Sequence, residues 1–148
     1  NIILTRTFSK AYGLAAIRLG WCYSGNKLSS ILNRVKGPFN TNTLAQNIAL
    51  IALKDQEHIK FVVKETINNK IWFESELIKL KIKIHPTYAN FTFIESTDEM
   101  AAKITKILQM EGIIIRQLHS YNLSHCLRIT IGTIDDMKKI INILKSTL

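Results

Sequence analysis

Thr5-Arg6-Thr7-Phe8-Ser9-Lys10-Ala11-Tyr12-Gly13-Leu14-Ala15-Ala16-Ile17-Arg18-Leu19-Gly20-Trp21 is the stretch around which the rest of this 148-residue chain is read. It leaves the apolar run Ile2-Ile3-Leu4, sets two hydroxyl residues before Lys10, bends at Gly13 and brings Arg18 back eight positions after the lysine. A short continuous apolar run of this kind is what a buried, parallel-type strand shows. Ile17 to Tyr23 reads as the adjoining strand, with Arg18 on it. A lysine forms a Schiff base with a carbonyl only when its amine is neutral for part of the time, which burial or neighbouring cations bring about. Thr7 and Ser9 are hydroxyl donors, Gly13 lets the loop bend without a Cβ penalty, and the planar fork of Arg18 suits a phosphate. By residue type the stretch is a pocket for a phosphorylated aldehyde, with Lys10 as the amine and Arg18 as the anion clamp.

The composition is 47% hydrophobic and 21% charged, that of a globular protein, and no apolar run approaches the ~20 residues a membrane span needs. No signal peptide or lipid anchor is visible. A net charge of +9 raises the question of nucleic acid. The lysines, however, are scattered at helical spacing among isoleucines, as at Lys60, Lys64, Lys70, Lys79, Lys81 and Lys83, with no dense basic run and no interleaved stacking aromatics. Neither a nucleic acid nor a membrane is therefore expected as a partner. Cys22 and Cys126 lie far apart, and neither has ligand spacing to another Cys or a His pair, so no metal is expected. Both are read as reduced, half-buried thiols of a cytoplasmic protein. His125 and Cys126 point to opposite faces if their segment is a strand.

Beyond the loop, Ser24-Gly25-Asn26 is a turn. Leu28, Ile31, Leu32 and Val35 then form a short helix that stops before Gly37-Pro38. Thr41 or Asn42 caps a second helix with Leu44, Ile48, Ile51 and Ala52 on one face, and Asp55 interrupts it. From Gln56 a helix of about 25 residues, some 37 Å at about 1.5 Å per residue, runs to about Leu80, with Ile59, Val62, Val63, Ile67, Ile71, Trp72 and Leu77 as its apolar positions. His85-Pro86-Thr87 is a turn and Phe91-Thr92-Phe93-Ile94 a strand. Thr97 or Asp98 opens a helix through Ala101, Ile104, Ile107 and Leu108 to Glu111-Gly112. Ile113-Ile114-Ile115-Arg116 and Leu127-Arg128-Ile129-Thr130-Ile131 are strands. Thr133 caps a last helix with Met137, Ile140, Ile141 and Leu144 inward. The fold class is α/β. Residues 1–80 are the end of a large domain with a mixed, mostly parallel sheet, helices and a long connecting helix; residues 81–148 are a small α+β subdomain whose helices cover one face of a mostly antiparallel sheet.

Thr7-Phe8-Ser9-Lys10-Ala11-Tyr12-Gly13-Leu14-Ala15-Ala16-Ile17-Arg18-Leu19-Gly20 resembles the cofactor-lysine motif of the fold type I aminotransferases, in particular the histidinol-phosphate aminotransferase branch. Gly112-Ile113-Ile114-Ile115-Arg116, Cys126-Leu127-Arg128-Ile129-Thr130-Ile131-Gly132-Thr133 and Gly37-Pro38-Phe39-Asn40 resemble the same branch and fall in the expected order. One departure is Ala16, where that family most often has Gly. The resemblance implies pyridoxal 5'-phosphate as cofactor. It makes Lys10 similar to the lysine that takes the cofactor's aldehyde and then moves the substrate proton. Thr7, Ser9 and Arg18 resemble the residues around the cofactor phosphate. Arg116 and Arg128 are similar to the pair that receives the substrate's anionic group, the phosphate of histidinol phosphate or a carboxylate of glutamate and 2-oxoglutarate. It also implies a cytoplasmic homodimer in histidine biosynthesis.

The close alternatives are an aromatic amino-acid aminotransferase or a threonine-phosphate decarboxylase of the same fold; the distant one is a non-catalytic aminotransferase-like regulatory module. Tyr12 and Trp21 read as packing residues, Asn40 as a helix-entry residue, and His119 and Tyr121 as loop residues between the arginine strands. In such enzymes the aspartate on the pyridine nitrogen and the aromatic on the ring precede the lysine. Here Asp55, Asp98, Asp135 and Asp136 all follow it, and the chain begins at Asn1. The expectation is a C-terminal part that is inactive alone.

Overall fold

In the computed structural model, which describes residues 2–147, β1 (Ile3–Thr7) and β2 (Gly20–Ser24) pair antiparallel, from Ile3 opposite Ser24 to Thr7 opposite Gly20. This corrects the buried, parallel-type strand expected at Ile2-Ile3-Leu4: every residue of β1 is exposed and its partner runs the other way. An apolar run of three cannot by itself specify a partner's direction. Among the described residues the strands pair only antiparallel. Gly20 is required by the pairing, since a Cβ there would lie 2.8 Å from the Arg6 carbonyl oxygen. Cys22 is exposed rather than half-buried, because it lies on this open two-stranded ribbon.

Helix α1 (Asn26–Val35) ends before Gly37-Pro38 as the sequence requires. Helix α2 (Thr43–Lys54) is capped by Asn42, whose Oδ1 accepts from the Ala45 amide at 2.7 Å. The buried residues of α2 are Ala45 and Ala49, one helical turn apart, whereas Leu44 and Ile51 of the expected inward face are exposed. Asp55 closes α2, and α3 (Gln56–Lys79) follows at once. The chain forms two compact units, Asn1–Val63 and Lys64–Leu148, with the boundary inside α3.

In the second unit α3 buries Asn69, Phe73, Glu76 and Leu77 and leaves Ile67 and Ile71 exposed, so its inward stripe is rotated from the one expected. Polar partners account for the rotation. Asn69 Nδ2 donates to the Gly132 carbonyl at 3.1 Å, and the Glu76 carboxylate accepts from Lys145 at 2.7 Å and Lys79 at 2.5 Å. Those two ammonium groups, Lys145 first, hold the Glu76 carboxyl below its usual range.

The sheet of this unit has the order β3-β4-β6-β5 and is wholly antiparallel. Its strands are β3 (Lys83–His85), β4 (Phe91–Glu95), β5 (Arg116–Leu118) and β6 (Leu123–Thr130). Three boundaries differ from expectation, the first being β6, which begins at Leu123, four residues before the strand expected from Leu127. Lys83 to His85 is a strand that the turn signal of Pro86 masked, and Ile113 to Ile115 approach the sheet without joining it. Helices α4 (Asp98–Met110) and α5 (Ile134–Thr147) bury Ala101, Ile104 and Leu108, and Met137, Ile140, Ile141 and Leu144. These meet Ile94, Leu127 and Ile129 of the sheet and Phe73 and Leu77 of α3 in one core. Full burial of each large aliphatic side chain contributes about 1.5–3 kcal/mol. Thr97 caps α4, its Oγ1 accepting from Met100 N at 3.2 Å. At α5, Thr133 Oγ1 accepts from the Asp136 amide at 3.2 Å while Asp136 Oδ2 accepts from Thr133 N at 3.0 Å, a reciprocal cap. No helix among the described residues is long and apolar enough to cross a membrane.

Candidate active site

Lys10 sits on a loop closed at its base by the last β1–β2 pair, Thr7 opposite Gly20, and by Phe8 N donating to Leu19 O at 3.2 Å. Phe8 is the buried anchor of this loop; Leu14 N donates to its carbonyl at 3.0 Å, and its ring lies 4.9 Å from that of Tyr12. Tyr12 is thus a packing residue. The Lys10 carbonyl accepts from Gly13 N at 2.8 Å, closing a tight turn in which Gly13 has φ +68°, a conformation glycine adopts without strain. With its backbone tied into this turn, the Lys10 side chain is exposed at the bend.

Thr7 Oγ1 accepts from the Ser9 amide at 3.0 Å, so the Thr7 hydroxyl proton is left to donate elsewhere. Ser9 is half-buried beside it. Arg18 departs from expectation: it lies not on a strand but in the left-handed region (φ 55°), just after a single 3-10 turn, Ala15–Ile17. Its Nη1 donates to Ala15 O at 2.7 Å, which fixes one edge of the guanidinium and leaves the other for an anion. A non-glycine residue in this region costs on the order of 1 kcal/mol. Upstream of Asp55 there are seven Lys and Arg and no Asp or Glu, so nothing in this part of the chain neutralises the loop. Two hydroxyls, a guanidinium and an amine on a loop without carboxylates fit a phosphorylated aldehyde.

In the second unit, Arg116 on β5 and Arg128 on β6 are directly opposite each other. Leu127 and Ile129 point into the helix-covered core, so strand alternation puts Arg128, and Arg116 with it, on the other face of the sheet. Each guanidinium lies against an aromatic ring, Arg128 at 5.1 Å from the centroid of Phe91 and Arg116 at 5.6 Å from that of Tyr121. Among the described residues neither arginine has an ion pair, and Arg128 Nε is the one buried side-chain polar atom without a hydrogen-bond partner. The acid on this face, Glu95, is committed to Lys83 at 2.8 Å and His85 at 2.5 Å, which lower its pKa to about 2. Like charges directly opposite on adjoining strands repel, and a buried donor left unmade is costly, so among the described residues the pair lacks a compensating anion.

The structure thus groups Thr7, Ser9 and Lys10 at one bend, keeps Arg18 in the same closed loop, and sets Arg116 beside Arg128. Phe91 carries no site signal in its own strand, and Tyr121 reads from sequence only as a loop residue. Trp21 is paired with Arg6 across β1–β2, and Asn40 is exposed just after Phe39. Burial pushes the Cys126 thiol pKa up, away from reactivity. No cluster of three or more His, Cys, Asp or Glu among the described residues could hold a metal ion.

Residues 1–144 match the family model described as aminotransferase class I and II. The histidinol-phosphate aminotransferase of Cereibacter sphaeroides strain KD131 is 38% identical over 133 residues, 89% of this chain and 37% of that protein. The crystal structure of histidinol-phosphate aminotransferase from Sinorhizobium meliloti, in complex with pyridoxal-5'-phosphate, superposes with a TM-score of 0.84 at 26% identity, covering 100% of this chain and 42% of that one. L-threonine-O-3-phosphate decarboxylase from Porphyromonas gingivalis shares the fold, with a TM-score of 0.84 at 22% identity over 99% of this chain and 46% of that one. The chain spans about two fifths of the length of the curated relatives it matches.

Proposed function

Because the chain belongs to the class I and II aminotransferase family, we propose that it serves a pyridoxal-phosphate-dependent transamination between L-histidinol phosphate and 2-oxoglutarate. The observation that carries the substrate class is the Arg116–Arg128 pair, two arginines directly opposite each other across β5–β6 that, among the described residues, have no ion pair. A phosphate monoester dianion matches two adjacent guanidiniums in charge and in bidentate geometry, and a carboxylate can take the same donors in the second half-reaction. The names of the curated relatives support the same reading.

Bound pyridoxal phosphate supplies the aldehyde and the electron-withdrawing ring. Thr7, through the hydroxyl proton left over from its bond with Ser9 N, Ser9 itself, and the free edge of Arg18 hold the cofactor phosphate. Lys10 Nζ would hold the aldehyde end of the cofactor and, when its amine is free, would carry the proton that leaves the substrate carbon bearing nitrogen. Arg116 and Arg128 receive the substrate's anionic group, a phosphate in one half-reaction and a carboxylate in the other. The protein acts as a cytoplasmic homodimer, and this chain alone does not sustain turnover.

A second reading is decarboxylation of threonine phosphate. The arginine pair would serve any phosphate monoester, and the fold is shared with such a decarboxylase. The test compares the protein that carries this chain on histidinol phosphate, phenylalanine and threonine phosphate. Histidinol phosphate is expected to be transaminated with the highest kcat/KM. Equal or better use of phenylalanine, or carbon dioxide release from threonine phosphate, would overturn the proposal.

A further inference from the structure

We propose that Phe91, tethered through Thr87 to Lys70, is the positioning residue for the Arg128 guanidinium; the inference rests on Arg128 receiving the substrate anion. Arg128 needs such a partner. Among the described residues its Nε has no hydrogen bond and the guanidinium no ion pair, and Arg116 opposite repels it, so the Phe91 ring at 5.1 Å is an attractive contact that gives the guanidinium a preferred place.

Phe91 is the first residue of β4, where a strand end would ordinarily fray, and the structure ties it down. Its carbonyl accepts from Thr87 Oγ1 at 2.7 Å, and Thr87 Oγ1 in turn accepts from Lys70 Nζ at 2.6 Å. Lys70 also donates to the carbonyls of Thr87 and Ala89, and its side chain is only 12% exposed, with Glu74 3.8 Å away. A largely buried ammonium spent on loop carbonyls holds residues 87–91 against α3. The adjacent Asn69 grips the Gly132 carbonyl, and Ile131 N donates to Asn90 O at 2.9 Å, so consecutive residues of α3 hold the start of β4 and the end of β6 together. Arg128 and the ring that faces it are therefore set from one helix.

The test is inorganic phosphate binding, by calorimetry, to the cofactor-loaded protein that carries this chain, where the binding lost in Arg128→Met defines the arginine site. Phe91→Leu keeps apolar bulk and removes the π face; it is expected to weaken that binding about three- to tenfold, the range of a partly desolvated cation–π contact. Phe91→Tyr restores it to within about twofold, since a phenol ring presents the same face. Thr87→Val cuts the tether but keeps the ring, and weakens binding in the same direction. Unchanged phosphate affinity in both Phe91→Leu and Thr87→Val, with binding still lost in Arg128→Met, would overturn the positioning role alone. Absence of any Arg128-dependent phosphate binding would remove the anion site itself and the inference with it.

Discussion

Arg128→Met is expected to make the protein more stable in anion-free buffer while abolishing its response to phosphate. In the parent, the buried Nε–H of Arg128 is unsatisfied, at a cost of about 1–3 kcal/mol, and its opposition to Arg116 adds about 0.2–1 kcal/mol. Methionine keeps an unbranched apolar stem and removes both costs. It forfeits the contact with Phe91, about 0.5–1 kcal/mol. The balance favours the variant by about 2 kcal/mol. Phosphate inverts the order: at a concentration one hundred times its dissociation constant it stabilises the parent by about 2.7 kcal/mol and leaves Arg128→Met unmoved. Urea unfolding with and without phosphate gives both numbers. A variant less stable than the parent by 1 kcal/mol or more without phosphate would show the guanidinium to be a structural group and refute the reasoning.

Glu95 has its folded pKa lowered to about 2 by Lys83 and then His85, against an ordinary value of 4.5. A depressed carboxylate contributes stability that is fully present above 4.5 and is lost as pH falls toward 2, so Glu95→Gln should be less stable than the parent at neutral pH and equal to it near pH 2 by acid titration of unfolding. Phe73→Ala, at a fully buried site of the second core, should cost about 3–5 kcal/mol in urea, and Ile71→Ala, on the exposed side of the same helix, under about 1 kcal/mol. Gly13→Ala forces a side chain into the left-handed region and should cost about 1–2 kcal/mol, lowering cofactor occupancy of the Lys10 loop as read by absorbance. Asn42→Ala removes the cap of α2 and should cost about 0.5–2 kcal/mol in thermal unfolding.

Helical periodicity was sufficient where one stripe of a helix is apolar. Met137, Ile140, Ile141 and Leu144 of α5 are all buried as their spacing requires. In α3 what selects the buried stripe is a pair of polar residues, Asn69 and Glu76, whose long-range partners lie 63 and 69 positions away. No local pattern carries that. The lysine loop was legible in its residue types, but the left-handed Arg18 was not, because an apolar flank reads as strand and the backbone turn depends on the Phe8–Leu19 closure. Both arginines were visible singly. That they face each other, and that Phe91 lies against one of them, follows from strand register, which a single strand does not encode.

The central claim is that Lys10 is the residue that takes the cofactor's aldehyde. Incubation of the protein that carries this chain with pyridoxal phosphate, reduction with borohydride and mapping of the labelled peptide tests it directly. The reduced cofactor is expected on Lys10, within the peptide that follows Arg6. A label on any other lysine, with Lys10 unmodified, would contradict it.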